Sequence, residues 1–182
     1  DKASDNWLNY TDATVATLSS GTGYRVGTDA GTTLLFTGSV ATSMVTVDIE
    51  NTGANFPDWN LIGNPYTTYL DIADFLNYDL GDGTRNIDIL EDVSGIYGYD
   101  GSASDGWDVI TLANASARDM APGQGFFVAA DAAFTSGYDI TFAPSMRRIN
   151  STDDFIAGRN SEALTYLKLK SSTLANDFTT QF

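Results

Sequence analysis

Trp59-Asn60-Leu61-Ile62-Gly63-Asn64-Pro65-Tyr66 is the stretch that decides the fold, because it joins a buried strand to an abrupt stop. Leu61 and Ile62 suit a buried strand, and Gly63 is expected to adopt backbone angles that are closed to other residues. Asn64-Pro65 ends the strand because proline fixes φ and lacks an N–H donor. The sequence therefore predicts a strand that ends in a rigid turn.

On both sides of this stretch, apolar residues recur at every second position or in short runs between clusters of Gly, Asn, Asp and Ser. This pattern predicts an all-β protein, and its many short strands favour a β-sandwich of jelly-roll type. The predicted strands are Gly23–Val26, Thr32–Thr37, Met44–Ile49, Trp59–Ile62, Ile96–Tyr99, Asp108–Leu112, Gly125–Ala129, Asp139–Phe142, Leu164–Lys170 and Phe178–Phe182.

The segment Leu70–Tyr78 departs from the strand pattern. With helical spacing, its apolar residues gather on one side, where Ile72 and Phe75 would lie. Thr68 or Asp71 can cap the start of a helix, and a glycine follows its end. The sequence therefore predicts one short helix, packed over one end of the sandwich.

The length of 182 residues predicts a single β-sandwich module that spans residues 1–182. The chain stops within the strand-like segment Phe178–Phe182 and has no closing turn. We therefore expect that it is part of a longer chain, or that a neighbour completes its last strand.

The charge of the chain is strongly negative. There are 24 acidic residues, 9 basic residues and no His, which gives a net charge of −15. Such a surface repels phosphate backbones and anionic lipids, so we expect neither a nucleic-acid partner nor membrane insertion. Without His or Cys, the chain cannot build a Ser-His-Asp or Cys-His catalytic site or a His-ligated zinc site. No carboxylate pair is marked as that of a glycosidase, and we expect no enzymatic activity.

Several motifs follow one another in a specific order, and together they cover roughly residues 21–150. They are Gly21-Thr22-Gly23-Tyr24, Leu34-Leu35-Phe36-Thr37-Gly38, the Trp59–Tyr66 stretch with Tyr69-Leu70-Asp71, Pro122-Gly123-Gln124-Gly125-Phe126-Phe127-Val128, and Phe142-Ala143-Pro144-Ser145-Met146-Arg147. In this order they resemble a module of large secreted and surface proteins of Bacteroidota, although the family has Pro-Ser where this chain has Thr67-Thr68. The resemblance implies an extracellular or cell-surface protein secreted by the type IX system. It implies no known catalytic activity.

Two acidic, glycine-rich loops are candidate cation sites. Ca²⁺ takes about six to eight oxygen ligands, which such loops can supply by folding back on themselves. Neither loop has the EF-hand spacing, and Asp and Gly also build ordinary tight turns, so calcium and plain turns both remain open. The candidate ligands are Asp79, Asp82, Asp100, Asp105 and Asp108.

Trp107 is the best candidate for a ligand contact among the aromatic residues. Tyr97 and Tyr99 are close to it in sequence, and Asp105 could read sugar hydroxyls beside a ring stacked on the aromatic platform. The alternative is core packing, which is the commoner role of an aromatic residue in an all-β domain. Trp59 is expected to lie in the core beside the turn.

Two functions from different classes follow from these observations. The first is a non-catalytic extracellular module that binds polysaccharide or cell-surface glycan, as an adhesive or accessory domain. The alternative is a structural subunit that assembles with copies of itself or with adjacent domains. In that case strand complementation at the C-terminus would build a filament or a multidomain stalk.

Overall fold

The computed structural model describes residues 17–25, 37–91, 95–99, 106–134 and 138–149, and the backbone of two strands near the C-terminus. Strands predominate in this part of the chain, which contains one short α-helix, α1. The expected all-β class is therefore confirmed.

The elements are short and follow one another closely along the chain. The helix α1 spans Ile72–Leu76, and two 3-10 turns span Asn86–Ile89 and Pro144–Met146. The strands are β1 Val45–Asp48, β2 Trp59–Gly63, β3 Tyr69–Asp71, β4 Ile96–Tyr99, β5 Trp107–Ile110, β6 Asp119–Met120, β7 Gly125–Ala129, β8 Asp139–Phe142, β9 Arg147–Arg148, β10 Tyr166–Lys170 and β11 Asp177–Gln181.

The strands form four sheets, in which all neighbours are antiparallel. The largest has the order β2-β7-β4-β5, and the others are β6-β3-β9, β1-β8 and β10-β11. One hydrophobic core joins the first three of these sheets with α1. Its largest fully buried side chains include Tyr66, Phe75, Phe126 and Phe142.

Eight strands agree with predicted strands to within a residue or two, namely β1, β2, β4, β5, β7, β8, β10 and β11. The prediction at Gly23–Val26 is wrong for residues 23–25, which are not in a strand. Among the described residues of this segment, Thr22 forms a single bridge with Ile62, and the N–H of Gly23 donates to the carbonyl of Leu61 at 3.0 Å. The pairing with β2 does not continue over residues 24 and 25, so no strand forms there. In the predicted strand Thr32–Thr37, residues 32–36 lie outside the described residues, and residue 37 is not in a strand.

The helix is shorter than predicted at both ends. Asp71 is its N-cap, because the carboxylate of Asp71 accepts a hydrogen bond from the backbone N–H of Asp74 at 2.8 Å. Residues 69–71 pair as β3 instead of extending the helix. Asn77 ends the helix, since both its backbone N–H and its side-chain amide donate to the carbonyl of Ala73.

The turn after β2 is held by Asn64, whose side chain is buried. Its amide group donates to the carbonyls of Thr68 at 2.9 Å and Ala121 at 3.0 Å, and its amide oxygen accepts from the N–H of Tyr66 at 2.9 Å. Asn64 thus ties β2 to the chain before β3 and after β6. The rigid turn is confirmed.

The explanation expected for Gly63 is wrong, because its φ is not positive. Space is the constraint instead, since a Cβ atom at Gly63 would lie 3.2 Å from the carbonyl oxygen of Gln124. Gly63 lets the end of β2 come close to the chain that enters β7.

Two carboxylates face each other across β1 and β8, where Asp48 is paired with Asp139. Burial is the first cause that raises the pKa of Asp48, followed by the negative charges of Glu50 and Asp139. A raised pKa means that the folded state holds this proton more tightly than the unfolded state. Asp48 therefore adds stability below its ordinary pKa of 3.8, and this contribution is lost as the pH rises through the folded pKa.

The substitution Asp139→Asn is expected to raise the melting temperature at pH 7 by about 1–2 °C, because like charges directly opposite destabilise a strand pair by about 0.2–1 kcal/mol. The gain should disappear below pH 3.8, where Asp48 becomes protonated. Thermal unfolding at pH 7 and below pH 3.8 measures this change in melting temperature. In an Asp48→Asn background the same substitution should give a smaller gain, and an equal gain in both backgrounds would contradict the charge explanation.

Candidate functional site

The outer face of the four-stranded sheet carries a group of aromatic side chains. Alternation along β7 sends Phe126 and Val128 into the core and leaves Phe127 half-buried on the opposite face. In the neighbouring strands, Tyr97 is in register with Phe127, and Tyr99 is in register with Trp107. We call the group formed by Trp59, Tyr97, Tyr99, Trp107 and Phe127 the aromatic face.

The five rings of the aromatic face form one continuous chain of contacts. The ring centroids are 5.4 Å apart for Tyr99 and Trp107, 5.5 Å for Trp107 and Phe127, 6.2 Å for Phe127 and Trp59, and 4.8 Å for Trp59 and Tyr97. The rings of each pair meet edge to face, which is a favoured geometry for aromatic pairs. Each ring is therefore held in place by at least one other.

Exposure divides the aromatic face into two parts. Trp59, Tyr97 and Phe127 are half-buried, whereas Tyr99 is 55% exposed and Trp107 is 48% exposed. Large side chains this open to water are available to a ligand. Trp107 is held by its contact with the half-buried Phe127, and Tyr99 is held by its contact with Trp107. The sequence-predicted residues Trp107, Tyr97 and Tyr99 are thus brought together on one surface.

Two members of the aromatic face were not expected there. Trp59 was predicted to lie in the core, but it is half-buried and lies on the outer face of the sheet, outside the core cluster. The reason is alternation along β2, which turns Ile62 into the core and Trp59 and Leu61 to the other side. The same alternation in β7 puts Phe126 and Phe127 on opposite faces, so that Phe127 lies outside the core.

On this side of the four-stranded sheet, none of the strand residues is charged. Apart from the five residues of the aromatic face, the residues on this side are Leu61, Gly63, Val109, Gly125 and Ala129. Antiparallel sheets that face water usually show polar residues there. An uncharged, ring-rich surface on a chain of net charge −15 is therefore a candidate binding surface.

Carboxylates lie around this surface. The pKa of Tyr97 is raised by its burial first, and then by the negative charges of Glu91 and Asp58. The phenol of Tyr97 thus stays protonated at neutral pH. The nearby carboxylates make the surroundings of the aromatic face acidic.

The first predicted cation loop is built as a turn. The carboxylate of Asp79 accepts hydrogen bonds from the N–H groups of Gly81 at 2.7 Å and Gly83 at 3.1 Å. The carboxylate of Asp82 accepts from the N–H of Thr84 at 2.9 Å, and this bond lowers the pKa of Asp82. These are the contacts that Asp makes in ordinary Asx turns.

The second predicted cation loop is mostly outside the described residues, which include neither Asp100 nor Asp105. The carboxylate of Asp108 forms an ion pair with Arg118 at 2.7 Å. Within the described part of the chain, no group of three Asp or Glu residues is placed to hold a metal ion. Calcium binding therefore stays a prediction.

A groove of about 430 Å³ lies between the end of α1 and the second 3-10 turn, lined in part by Asp74, Asp79 and Tyr78. Its carboxylates already have partners, since Asp74 pairs with Arg148 and Asp79 closes its own turn. Arg148 also pairs with Asp71 at 3.2 Å, so this cation is bound to the acidic surface. The groove offers less to a ligand than the aromatic face does.

No protein-family model matches this chain, and comparison with curated proteins and with solved structures finds no similar protein. Among the residues that the structure describes, no helix has the length and apolar character needed to cross a membrane. The described fold and surface define an all-β domain with an uncharged aromatic face.

Proposed function

We propose that this chain is a non-catalytic extracellular module, a β-sandwich of jelly-roll type, that binds polysaccharide or cell-surface glycan through the aromatic face. One observation carries the proposal, namely the exposed pair Tyr99 and Trp107 on an uncharged sheet face. The resemblance to secreted Bacteroidota modules supports the extracellular location. Calcium in the acidic loops would be structural in this proposal, with no role in catalysis.

The chemistry of sugars fits such a surface. One face of a pyranose ring carries mainly C–H groups, which stack on an aromatic ring, while the hydroxyls at the rim reach polar groups or water. Rings that are already fixed lose little side-chain entropy on binding. Tyr99 and Trp107 meet this condition because each has an edge-to-face partner.

The variant Trp107→Ala tests the proposal. Burying a large apolar side chain contributes about 1.5–3 kcal/mol, so its removal should weaken glycan retention roughly ten- to a hundredfold. Affinity electrophoresis in gels that contain soluble polysaccharides, with pull-down on insoluble ones, measures the retention. Because Trp107 lies on the surface, the melting temperature of the Trp107→Ala protein should differ little from that of the unaltered chain.

Phe56→Ala is the matched control, because Phe56 is an aromatic residue that is 77% exposed in the loop between β1 and β2 and is not part of the aromatic face. It should leave retention unchanged. Equal retention of the Trp107→Ala protein and the unaltered chain would contradict the proposal. Equal losses in both variants would show that retention is non-specific.

One observation favours the structural alternative. Strands β10 and β11 pair over five residues and form a separate two-stranded sheet among the described strands. An isolated two-stranded hairpin is only marginally stable in water, so a further strand from a neighbour would stabilise it. This would assemble the chain with copies of itself or with adjacent domains, into a filament or a stalk. A monomeric mass in light scattering at high protein concentration would contradict this alternative.

A further inference from the structure

Gly125 is an exposed glycine at the start of β7, a strand that has neighbours on both sides. Glycine in a strand loses more conformational entropy on folding than other residues and adds no side-chain packing. Its φ is not in the positive range that favours glycine. A Cβ atom there would meet the carbonyl oxygen of Ile62 at 3.7 Å and Cδ1 of Leu61 at 3.9 Å, which are ordinary contacts. Neither the backbone conformation nor the described packing therefore requires glycine at this position.

Gly63, the partner of Gly125 across β2 and β7, is different. It is buried, and a Cβ atom there would approach the carbonyl oxygen of Gln124 to 3.2 Å. Packing within the described part of the chain explains Gly63 but gives no reason for glycine at position 125. Close approach of a ligand to the backbone is the other common reason for glycine in a strand.

Gly125 lies beside the exposed rings of the aromatic face. Since Tyr97 is in register with Phe127, the residues two positions further, Tyr99 on β4 and Gly125 on β7, lie alongside each other. Trp107 is paired with Tyr99 and reaches across β4, with its ring 5.5 Å from that of Phe127. The uncovered backbone at Gly125 is thus a depression beside Tyr99, Trp107 and Phe127.

The charges around this depression restrict the ligand. The face formed by the four strands has no Lys or Arg, and Arg118, directly before β6, is paired with Asp108 of β5. Asp58 and Glu91 act on Tyr97 within the aromatic face, and the whole chain carries a charge of −15. Uronic-acid or sulfated glycans would find repulsion here, and the four described strands offer them no cationic side chain on this face.

We infer that the ligand of the aromatic face is a neutral glycan chain, and that one of its sugar rings lies on the backbone at Gly125 beside Tyr99 and Trp107. This inference rests on the proposed glycan binding and specifies both its chemistry and its subsite. The width of a sugar ring is close to the spacing of neighbouring strands, about 4.8 Å, so a single ring fits over β7. Gly125 is therefore a specificity-determining position.

The variant Gly125→Val tests the subsite, because its side chain fills the depression and suits a strand. The full chain and its variants are compared on four neutral glycans, namely amorphous cellulose, xylan, galactomannan and mixed-linkage β-glucan. Polygalacturonate and alginate are the acidic probes. We expect the unaltered chain to bind at least one neutral glycan and neither acidic one, and Gly125→Val to weaken that binding at least tenfold.

Gly38→Val is the matched control, since a Cβ atom at this exposed glycine would meet open space outside the four-stranded sheet. It should bind like the unaltered chain. Circular dichroism and melting curves verify that each variant is folded. If Gly125→Val lowers the melting temperature, Gly125→Ala replaces it, because a methyl group there makes only ordinary contacts. A two- to fivefold loss is then expected.

The outcomes separate this inference from the proposed function. If Trp107→Ala weakens binding while the folded Gly125 variants bind normally, the subsite is overturned and glycan binding stands. Binding to polygalacturonate or alginate that equals or exceeds binding to the neutral glycans overturns the neutral ligand. If the unaltered chain binds none of the six probes, the proposed function fails, and this inference fails with it.

Discussion

The substitution Gly95→Ala is expected to lower the melting temperature by roughly 6–12 °C, which corresponds to about 3 kcal/mol in a chain of this size. A Cβ atom at Gly95 would lie 1.9 Å from the carbonyl oxygen of Ile110 and 2.7 Å from its carbonyl carbon. Both are backbone atoms of β5, so no side-chain rotation can relieve the overlap. Strands β4 and β5 would have to separate where Ile96 is paired with Ile110.

Gly38→Ala is the matched control for Gly95→Ala, because no described atom lies within 4 Å of a Cβ atom at the exposed Gly38. It should change the melting temperature by no more than about 1–2 °C, as surface substitutions usually do. Thermal unfolding followed by circular dichroism compares the two variants. If Gly95→Ala were as stable as Gly38→Ala, the close approach of Gly95 to β5 would be wrong. The hairpin that presents Tyr99 and Trp107 would then need a different register.

The strands could be predicted from the sequence better than their pairing. Apolar runs located β2, β7 and β8, and Asn64-Pro65 located the turn after β2. No local pattern shows that β1 pairs with β8 or β2 with β7, because those contacts join distant parts of the chain. Strands β3, β6 and β9 were missed since two or three residues cannot show a period of two.

The candidate site could be predicted in part, and the reason lies in the alternation of side chains. Trp107, Tyr97 and Tyr99 belong to a hairpin with an acidic loop, which favours exposure. Phe127 and Trp59 belong to strands that have apolar residues on both faces, such as Ile62 beside Leu61. Alternation separates the two faces of such a strand but does not show which one meets the core.

The roles of the glycines in and beside the strands could not be predicted from the sequence, because each role depends on the surrounding atoms. Gly95, Gly63 and Gly125 look alike in the chain. In the structure they differ in the room for a Cβ atom. Backbone atoms of β5 fill this space at Gly95, the space is tight at Gly63, and it is open at Gly125. The aspartates show the same limit, since turns and cation sites use the same residues.

The substitution Asn64→Ala is expected to destabilise the fold by about 3 kcal/mol, again with a fall of roughly 6–12 °C in melting temperature. It removes the donor to the carbonyls of Thr68 and Ala121, which are partly buried, and the acceptor for the buried N–H of Tyr66. A buried polar group without a partner destabilises the fold, because folding has removed its hydrogen bond to water and provides no other in its place. Thermal and denaturant-induced unfolding measure the loss.

Two further variants identify the physical cause of this loss. Asn114→Ala removes an exposed side chain that accepts a hydrogen bond from the N–H of Thr111. Water can take the place of this acceptor, so the loss in free energy of unfolding should stay below about 1 kcal/mol. In Asn64→Asp, the acceptor for Tyr66 remains, but an ionised carboxylate faces the carbonyls of Thr68 and Ala121 and has no proton to donate. This variant should be at least as unstable as Asn64→Ala at pH 7 and should recover relative to it in acid, where protonation restores a donor.

A loss in Asn64→Ala no larger than that in Asn114→Ala would contradict the role of the buried amide. The position of Asn64 gives this result a consequence for the site. Its own N–H donates to the carbonyl of Gln124 at 3.0 Å, directly before Gly125, and its side chain holds the segment that follows β6. Because Asn64 fixes the end of β2 against the start of β7, its loss should loosen the sheet where the exposed part of the aromatic face lies. Glycan retention should therefore fall in the Asn64→Ala protein even at temperatures where it remains folded.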